Sequence, residues 1–266
     1  MKKIINITAN LSVISQETAK TLKIKLESKG FEVTDKLTSK VDLIVCIGGD
    51  GSFLRTVHEY NFTSIPIIGI NTGHLGFFQE IHPCEIDDFI DSYIKNDYYI
   101  QEINPIKSYI YTKNRCIESF AINEIAIKNN LSRTIHLNLS VNNNFIEKFS
   151  GDGIILSTPT GSTAYNYSSG GSIVDPSLKL IQITPLSPIN TNAYRSFTSS
   201  IILSEHSVVD ITPEYRFENS VLIVHDGVEH KYSETTKIII KSSDIKIKLL
   251  RFKNYEFWSK VSEKFL

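Results

Sequence analysis

An α/β amino-terminal domain, an all-β carboxy-terminal domain and one closing helix are what this sequence predicts, on three observations. Over residues 1–98, apolar runs of strand length alternate with helix-periodic stretches, the pattern of a sheet with crossover helices. Over 99–253, short β-branched stretches follow one another at hairpin-like distances, separated by turn residues. Over 254–266, Phe257, Trp258, Val261 and Phe265 recur at helical spacing, so a last helix is expected to dock back on the rest of the molecule. A chain of 266 residues, 41% of them hydrophobic, has the apolar material for a genuine core.

Taken in order, Lys3 to Thr8 is β-rich, and Ser15 to Lys29 sets Ala19, Leu22 and Leu26 on one helical face among lysines and glutamates. Gly30 stands where a helix C-terminal cap belongs. Val41 to Ile47 is a nearly continuous apolar run that ends in Gly48-Gly49-Asp50-Gly51, after which Phe53 to Glu59 resumes a helical pattern. Ile65 to Ile70 predicts another buried strand, and Glu85 to Lys95 places Ile86, Phe89, Ile90 and Tyr93 on one face of a helix. In the second half the predicted strands are Ile106–Tyr111, Phe120–Ile127, Ile135–Val141, Ile154–Ser157, Leu178–Ile183, Ile201–Ser204, Val221–Val224 and Lys237–Lys241. Asn142-Asn143-Asn144 reads as a hairpin turn, because asparagine tolerates positive φ.

Composition excludes several classes of function. The 28 Lys+Arg nearly cancel the 29 Asp+Glu, which argues against a nucleic-acid reader or a polybasic membrane binder. Cys46, Cys84 and Cys116 are too few and too scattered for a disulfide framework or a thiolate metal site, so a reducing cytoplasm is the expected location. Asn6, Thr8 and Asn10 interrupt the first apolar stretch, which reads as a strand and not as a signal peptide. No apolar run approaches the roughly 18 residues that span a bilayer.

The turn Gly48-Gly49-Asp50-Gly51 is the first chemically informative feature. Glycines after a buried strand let backbone N–H groups come close to an anion, and the following helix adds its positive dipole end. A plain strand-to-helix turn capped by the aspartate is the alternative. A carboxylate inside a phosphate cradle repels its own ligand, which suggests that Asp50 holds a cation or takes a proton from a nucleophile. The turn lacks the Gly-Lys-Ser/Thr of a Walker A loop and the spacing of a Rossmann dinucleotide site.

A second constellation runs from Gly151-Asp152-Gly153 through Ser157-Thr158-Pro159-Thr160-Gly161-Ser162-Thr163-Ala164-Tyr165 to Gly170-Gly171. Small hydroxyls and glycines around one tyrosine make poor core, and they suit hydrogen bonding to ribose and phosphate with room for a flat ring; a flexible surface loop is the alternative, opposed by the flanking strands and by Pro159. Asn123-Glu124 interrupts an otherwise apolar stretch, either as a satisfied pair at a strand bulge or as a polar pair facing a cleft. The histidines show no metal-ligand spacing, and no Gly-x-Ser-x-Gly elbow activates the serines.

Together these motifs resemble the NAD kinase family. The turn alone is shared with diacylglycerol, sphingosine and phosphofructokinase-type kinases, whereas Asn71-Thr72-Gly73-His74-Leu75-Gly76-Phe77, Asn123-Glu124 and the Gly151 to Gly171 block are characteristic of NAD kinases. The resemblance implies transfer of the γ-phosphoryl of ATP, or of polyphosphate, to the adenosine ribose 2′-hydroxyl of NAD, with Asp50 as the general base. It implies that Gly49, Gly51 and Arg55 meet phosphate and that Asn123 and Glu124 grip the adenosine side. Phe77, Thr163, Ala164, Tyr165, Asn166 and Ser168 are expected to line the NAD pocket, with Asp152, Ser187, Tyr194 and Asp226 completing it, some from a neighbouring subunit of a dimer or tetramer. Mg²⁺ is expected to arrive with ATP, with no metal ligands from the protein and no tightly bound organic cofactor. Ser150 stands where many relatives carry arginine, and Lys148 is the nearest positive charge. The residues after Thr184-Pro185, Ser187 included, depart from the family run. A non-catalytic dinucleotide sensor and a lipid kinase are the rival readings; retention of Asp50 opposes the first, and a near-neutral composition opposes the second.

Overall fold

The computed structural model describes residues 2–131, 133–191, 195–215 and 220–265, which form two compact units, 1–103 with 245–266 and 104–244. In the first unit, β1 (Ile4–Ala9), β2 (Glu32–Thr34), β3 (Leu43–Gly48), β4 (Ile67–Asn71) and β5 (Gln79–Ile81) pair in parallel. Helices α1 (Val13–Ser28), α2 (Asp50–Glu59) and α3 (Ile86–Lys95) supply the crossovers. Strand β3 is buried along its whole length, which is why its sequence is a continuous apolar run and not an alternating one. Leu22 and Leu26 of α1 and Phe89 and Ile90 of α3 pack into one core with Ile5, Leu43, Val45 and Ile47. Each such side chain contributes about 1.5–3 kcal/mol relative to an exposed one. Ser12 caps α1 by accepting the Ser15 N–H, and Gly30, at φ +90°, ends it as expected.

The first unit extends further than the sequence pattern indicates. Strand β6 (Tyr99–Ile103) and the returning strand Ile247–Arg251 pair antiparallel with each other, and Leu249 joins Ile67 of β4. By packing, the compact units divide at 103/104 and 244/245. The closing helix forms over Phe257–Phe265 and packs within this unit.

In the second unit, among the described residues, two antiparallel six-stranded sheets share a core. One runs from β7 (Ile106–Thr112) and β8 (Cys116–Ala121) through β10 (Ile135–Val141), β11 (Asn144–Gly151), β15 (Val209–Pro213) and β18 (Thr235–Ser242). The other contains β9 (Glu124–Asn129), β12 (Gly153–Ser157), β13 (Leu180–Leu186), β14 (Ile201–Ser204), β16 (Ser220–His225) and β17 (Val228–Ser233). Alternate residues such as Leu137 and Leu139 of the first sheet meet Ile125, Ile127, Ile154 and Leu156 of the second. Asn142 and Asn143, at φ 50° and 65°, make the expected hairpin turn between β10 and β11. The predicted strand Phe120–Ile127 is two strands in different sheets, β8 and β9, with Ile122 and Asn123 at the corner between them. No helix among the described residues is long and apolar enough to cross a membrane.

Candidate active site

The glycine turn sits where β3 feeds α2. Gly48 has φ +154°, and a Cβ there would stand 2.1 Å from Ser52 Oγ and 2.9 Å from Asn10 Nδ2, so the strand can close on the helix only with glycine at this position. Gly49 is the N-cap and offers no side-chain cap. Asp50 opens the helix, and the first amides, at Asp50 and Gly51, have no carbonyl one turn earlier to bond, which leaves donors at the positive end of the helix dipole. Arg55 lies one turn on, exposed, and lines a cavity of about 160 Å³ with Asn10, Leu11, Ser52, Thr56 and Glu59.

The loop from Asn71 to Phe77 closes over the aspartate. Asn71 folds the loop by accepting the Gly73 N–H at 3.0 Å and donating to the His74 carbonyl at 3.2 Å, and the Thr72 N–H bonds the Gly48 carbonyl at 3.1 Å. The amides of Phe77 and Phe78 then donate to the two oxygens of Asp50, at 2.8 and 3.0 Å. Each carboxylate oxygen keeps a further lone pair, so Asp50 is oriented without being used up as an acceptor. The Phe77 ring is engaged on its other side by the closing helix. It is 6% exposed, 5.5 Å from the Phe257 ring and 6.0 Å from that of Phe265, while its backbone N–H serves Asp50.

In the second unit Asp226, at φ 47° in the turn between β16 and β17, accepts the amides of Ile122, Asn123 and Glu124 at 2.7, 2.7 and 3.3 Å. This carboxylate holds the corner where the chain passes from one sheet to the other. The Asn123 carbonyl accepts the Thr158 N–H at 2.9 Å, and Thr158 Oγ1 donates to the Ile122 carbonyl at 2.6 Å, so the corner and the Thr160–Thr163 turn are built as one piece. Asn123 Oδ1 and Glu124 Oε2 are buried and find no hydrogen-bond partner among the described residues. Leaving such a group unsatisfied costs about 1–3 kcal/mol, and here two of them stand on adjacent residues.

Burial, then the Asp226 charge, push the Glu124 carboxyl up to about 8, against a smaller opposing pull from the Tyr165 N–H. The folded protein therefore holds this proton where the unfolded chain has released it, and the group's contribution to stability declines as pH rises from about 4.5 to about 8. Over that whole interval the decline is on the order of a few kcal/mol. Urea unfolding at pH 5 and pH 8 should show the parent losing more stability than Glu124→Gln between the two, and equal pH slopes would contradict the reading.

The remaining expected residues divide by exposure. Tyr165, Ser168, Asp152 and Ser187 are exposed, Ala164 is half-buried, and Thr163 is buried on the turn between them. Lys128 Nζ stands 5.9 Å from the Tyr165 ring. Asn166 is fully buried, and its carboxamide accepts the Thr184 hydroxyl at 2.6 Å and donates towards the Ser172 carbonyl at 3.4 Å. It props the turn from beneath and does not line a surface. Tyr194 lies outside the described residues. Ser150 is buried with its hydroxyl 2.7 Å from His136 Nδ1, and Lys148 is ion-paired with Glu214, so neither presents the free charge of an arginine. Among the described residues no group of three or more His, Cys, Asp or Glu is placed to hold a metal.

Comparison with known proteins gives one family for both units. The model of the ATP-NAD kinase N-terminal domain matches residues 3–98 and that of the ATP-NAD kinase C-terminal domain matches 122–252. An NAD kinase of Finegoldia magna is 42% identical, the alignment covering 99% of this chain and 98% of the relative. A yeast NADH kinase solved in complex with NADH superposes with a TM-score of 0.86 at 20% identity, covering 98% of this chain and 87% of that one. An Archaeoglobus fulgidus NAD kinase solved in complex with ATP gives 0.77 at 23%, covering 98% and 99%. At those identities the two structures bear on the fold alone.

Proposed function

Because the chain belongs to the NAD kinase family and is an enzyme that phosphorylates NAD, we propose that it moves the γ-phosphoryl of ATP to the 2′-hydroxyl of the adenosine ribose, with Asp50 as general base. The observation that carries this reading is the carboxylate of Asp50, held by two backbone amides at the amino end of α2, directly after the glycine turn. A ribose hydroxyl is a poor nucleophile at neutral pH, and a carboxylate that accepts its proton as the P–O bond forms supplies about 10²- to 10⁴-fold. The remainder comes from alignment and from charge neutralisation on the phosphates, to which the α2 amides at Asp50 and Gly51 and the Arg55 guanidinium contribute. The divalent cation is part of the donor substrate, bound by phosphate and water, and supplies charge neutralisation on the γ-phosphoryl.

On the acceptor side, Asn123 and Glu124 would meet the adenosine portion of NAD, with Asp226 fixing their backbone and Thr163, Ala164, Tyr165 and Ser168 lining the dinucleotide. Asn123→Ala should weaken NAD by about 1–3 kcal/mol, since the carboxamide matches donor and acceptor sites on adenosine. An unchanged KM for NAD with a raised KM for ATP would move Asn123 to the donor side.

ATP is taken as the donor in place of polyphosphate because both matching family models are those of an ATP-NAD kinase. Incubating the purified protein with NAD, Mg²⁺ and either ATP or polyphosphate, and following NADP, tests this directly. Turnover with ATP alone is expected; turnover with polyphosphate alone would overturn the choice of donor. Self-association into an even-order oligomer with shared sites belongs to the same reading, and Phe145 and Ile146, 65% and 47% exposed on the β10–β11 hairpin, support it. Sedimentation should give a dimer or larger; a monomer at assay concentration would exclude shared sites.

A further inference from the structure

The segment that orients Asp50 is itself held from the far end of the chain. Lys260, half-buried on the closing helix, donates from Nζ to the Gly76 carbonyl at 3.0 Å and to the Gln79 carbonyl at 2.8 Å. Between those two carbonyls lie the Phe77 and Phe78 amides that bond Asp50. Arg251 Nη2 and the Tyr255 hydroxyl donate to the Phe77 carbonyl, at 3.1 and 3.4 Å. From the same segment the Gln79 side chain donates to the Gly49 carbonyl at 3.0 Å, so residues 76–79 grip the glycine turn on two sides.

A cation is an expensive way to fill this position. Burial, then the Arg251 charge, pull the Lys260 ammonium down to about 8, although Glu80, Asp50 and Glu263 act in the opposite direction. Among the described residues no carboxylate comes within ion-pair distance of its Nζ, and the Tyr255 ring, 5.3 Å away, is the other group beneath it. A plain apolar stem of the same length would pack the helix without the desolvation penalty. What the ammonium adds is a pair of directed donors on two carbonyls that flank the Asp50 clamp.

We propose that Lys260 is a positioning residue for phosphoryl transfer: by bridging the Gly76 and Gln79 carbonyls it fixes the Phe77 and Phe78 amides, and through them the direction of the Asp50 carboxylate. The inference rests on the reading of Asp50 as the base. Lys260 itself touches neither substrate nor reacting atoms. A displacement of about 1 Å in a catalytic group is enough to cost roughly two decades of rate, so a loosened clamp shows in kcat and leaves NAD binding alone.

The test is a cycle of variants, Lys260→Met and Asp50→Asn singly and together, with kcat, KM for NAD and far-UV circular dichroism for each. Lys260→Met keeps the stem and discards the strained charge, so it is expected to fold. Its kcat should fall by roughly tenfold or more with KM for NAD within about twofold, and in the Asp50→Asn background it should cost nothing further, because the group it positions is gone. A kcat within about twofold of the parent, or the same loss in both backgrounds, would overturn the inference. Lys260→Gln, measured in the same way, guards against misfolding of the methionine variant; if neither folds, Lys260 holds the fold and the inference is likewise overturned. The two readings separate cleanly. If Asp50→Asn turns over at the parent rate, the base assignment fails; if it does not but Lys260→Met does, only the positioning role fails.

Discussion

Asp50→Asn should lose at least about two decades of kcat while keeping the fold and most of the NAD affinity. The asparagine is isosteric, and its carbonyl oxygen can still accept one of the two amides, those of Phe77 and Phe78, that reach the carboxylate. What it cannot do is take the ribose proton. Calorimetric titration with NAD beside a steady-state assay separates the two quantities. Parent turnover in the variant would remove Asp50 from the chemistry, and intact NAD binding with no turnover in the parent protein itself would favour a dinucleotide sensor.

Gly76→Ala should approach the same loss without touching the base. A Cβ at this position would lie 2.2 Å from Asp50 Oδ1 and 2.6 Å from Cγ, closer than any real contact allows. The obstructing atoms belong to a side chain and not to backbone, so the carboxylate gives way and the loop does not. Gly76 is also not among the residues of positive φ, so alanine brings no backbone strain. The expected result is a fall of roughly two decades in kcat from a misdirected carboxylate, with a melting temperature within a few degrees of the parent. A parent-like kcat would show that the Asp50 geometry is not what sets the rate.

Much of this was legible in the sequence where local pattern and burial agree. The run Val41 to Ile47 with its glycine turn gave β3 and α2, because a strand covered on both faces needs apolar residues throughout and a tight exit needs glycine. The Asn142-Asn143 hairpin was legible for a similar reason. Strand β6 and its partner Ile247–Arg251 carry no local mark of the first unit, since what puts them there is pairing across more than a hundred residues, to which local periodicity is blind. Asn123 and Glu124 looked like an interruption in one strand. In the structure Asn123 stands at a corner between sheets and Glu124 opens β9, and what defines the corner is Asp226, remote in sequence.

The candidate site divides in the same way. Asp50 announces itself, because a carboxylate in a phosphate-type turn is chemically anomalous. Asn166 lies in the hydroxyl-rich block yet turns inward, and nothing in the spacing separates it from exposed Tyr165 beside it. The Phe77 ring is claimed by Phe257 and Phe265, whose helical spacing predicted a docking helix without indicating where it docks. Lys260 lies on that helix, between residues already read as apolar contacts. Its role becomes visible only when the carbonyls it bonds are known.

The most direct test is the position of the new phosphate on the product. With NAD and Mg-ATP, the parent protein should yield a single new phosphomonoester in the ³¹P spectrum, coupled to the C2′ proton of the adenosine ribose, and Asp50→Asn should yield almost none in the same interval. A phosphate on any other hydroxyl, or equal product from both proteins, would contradict the account.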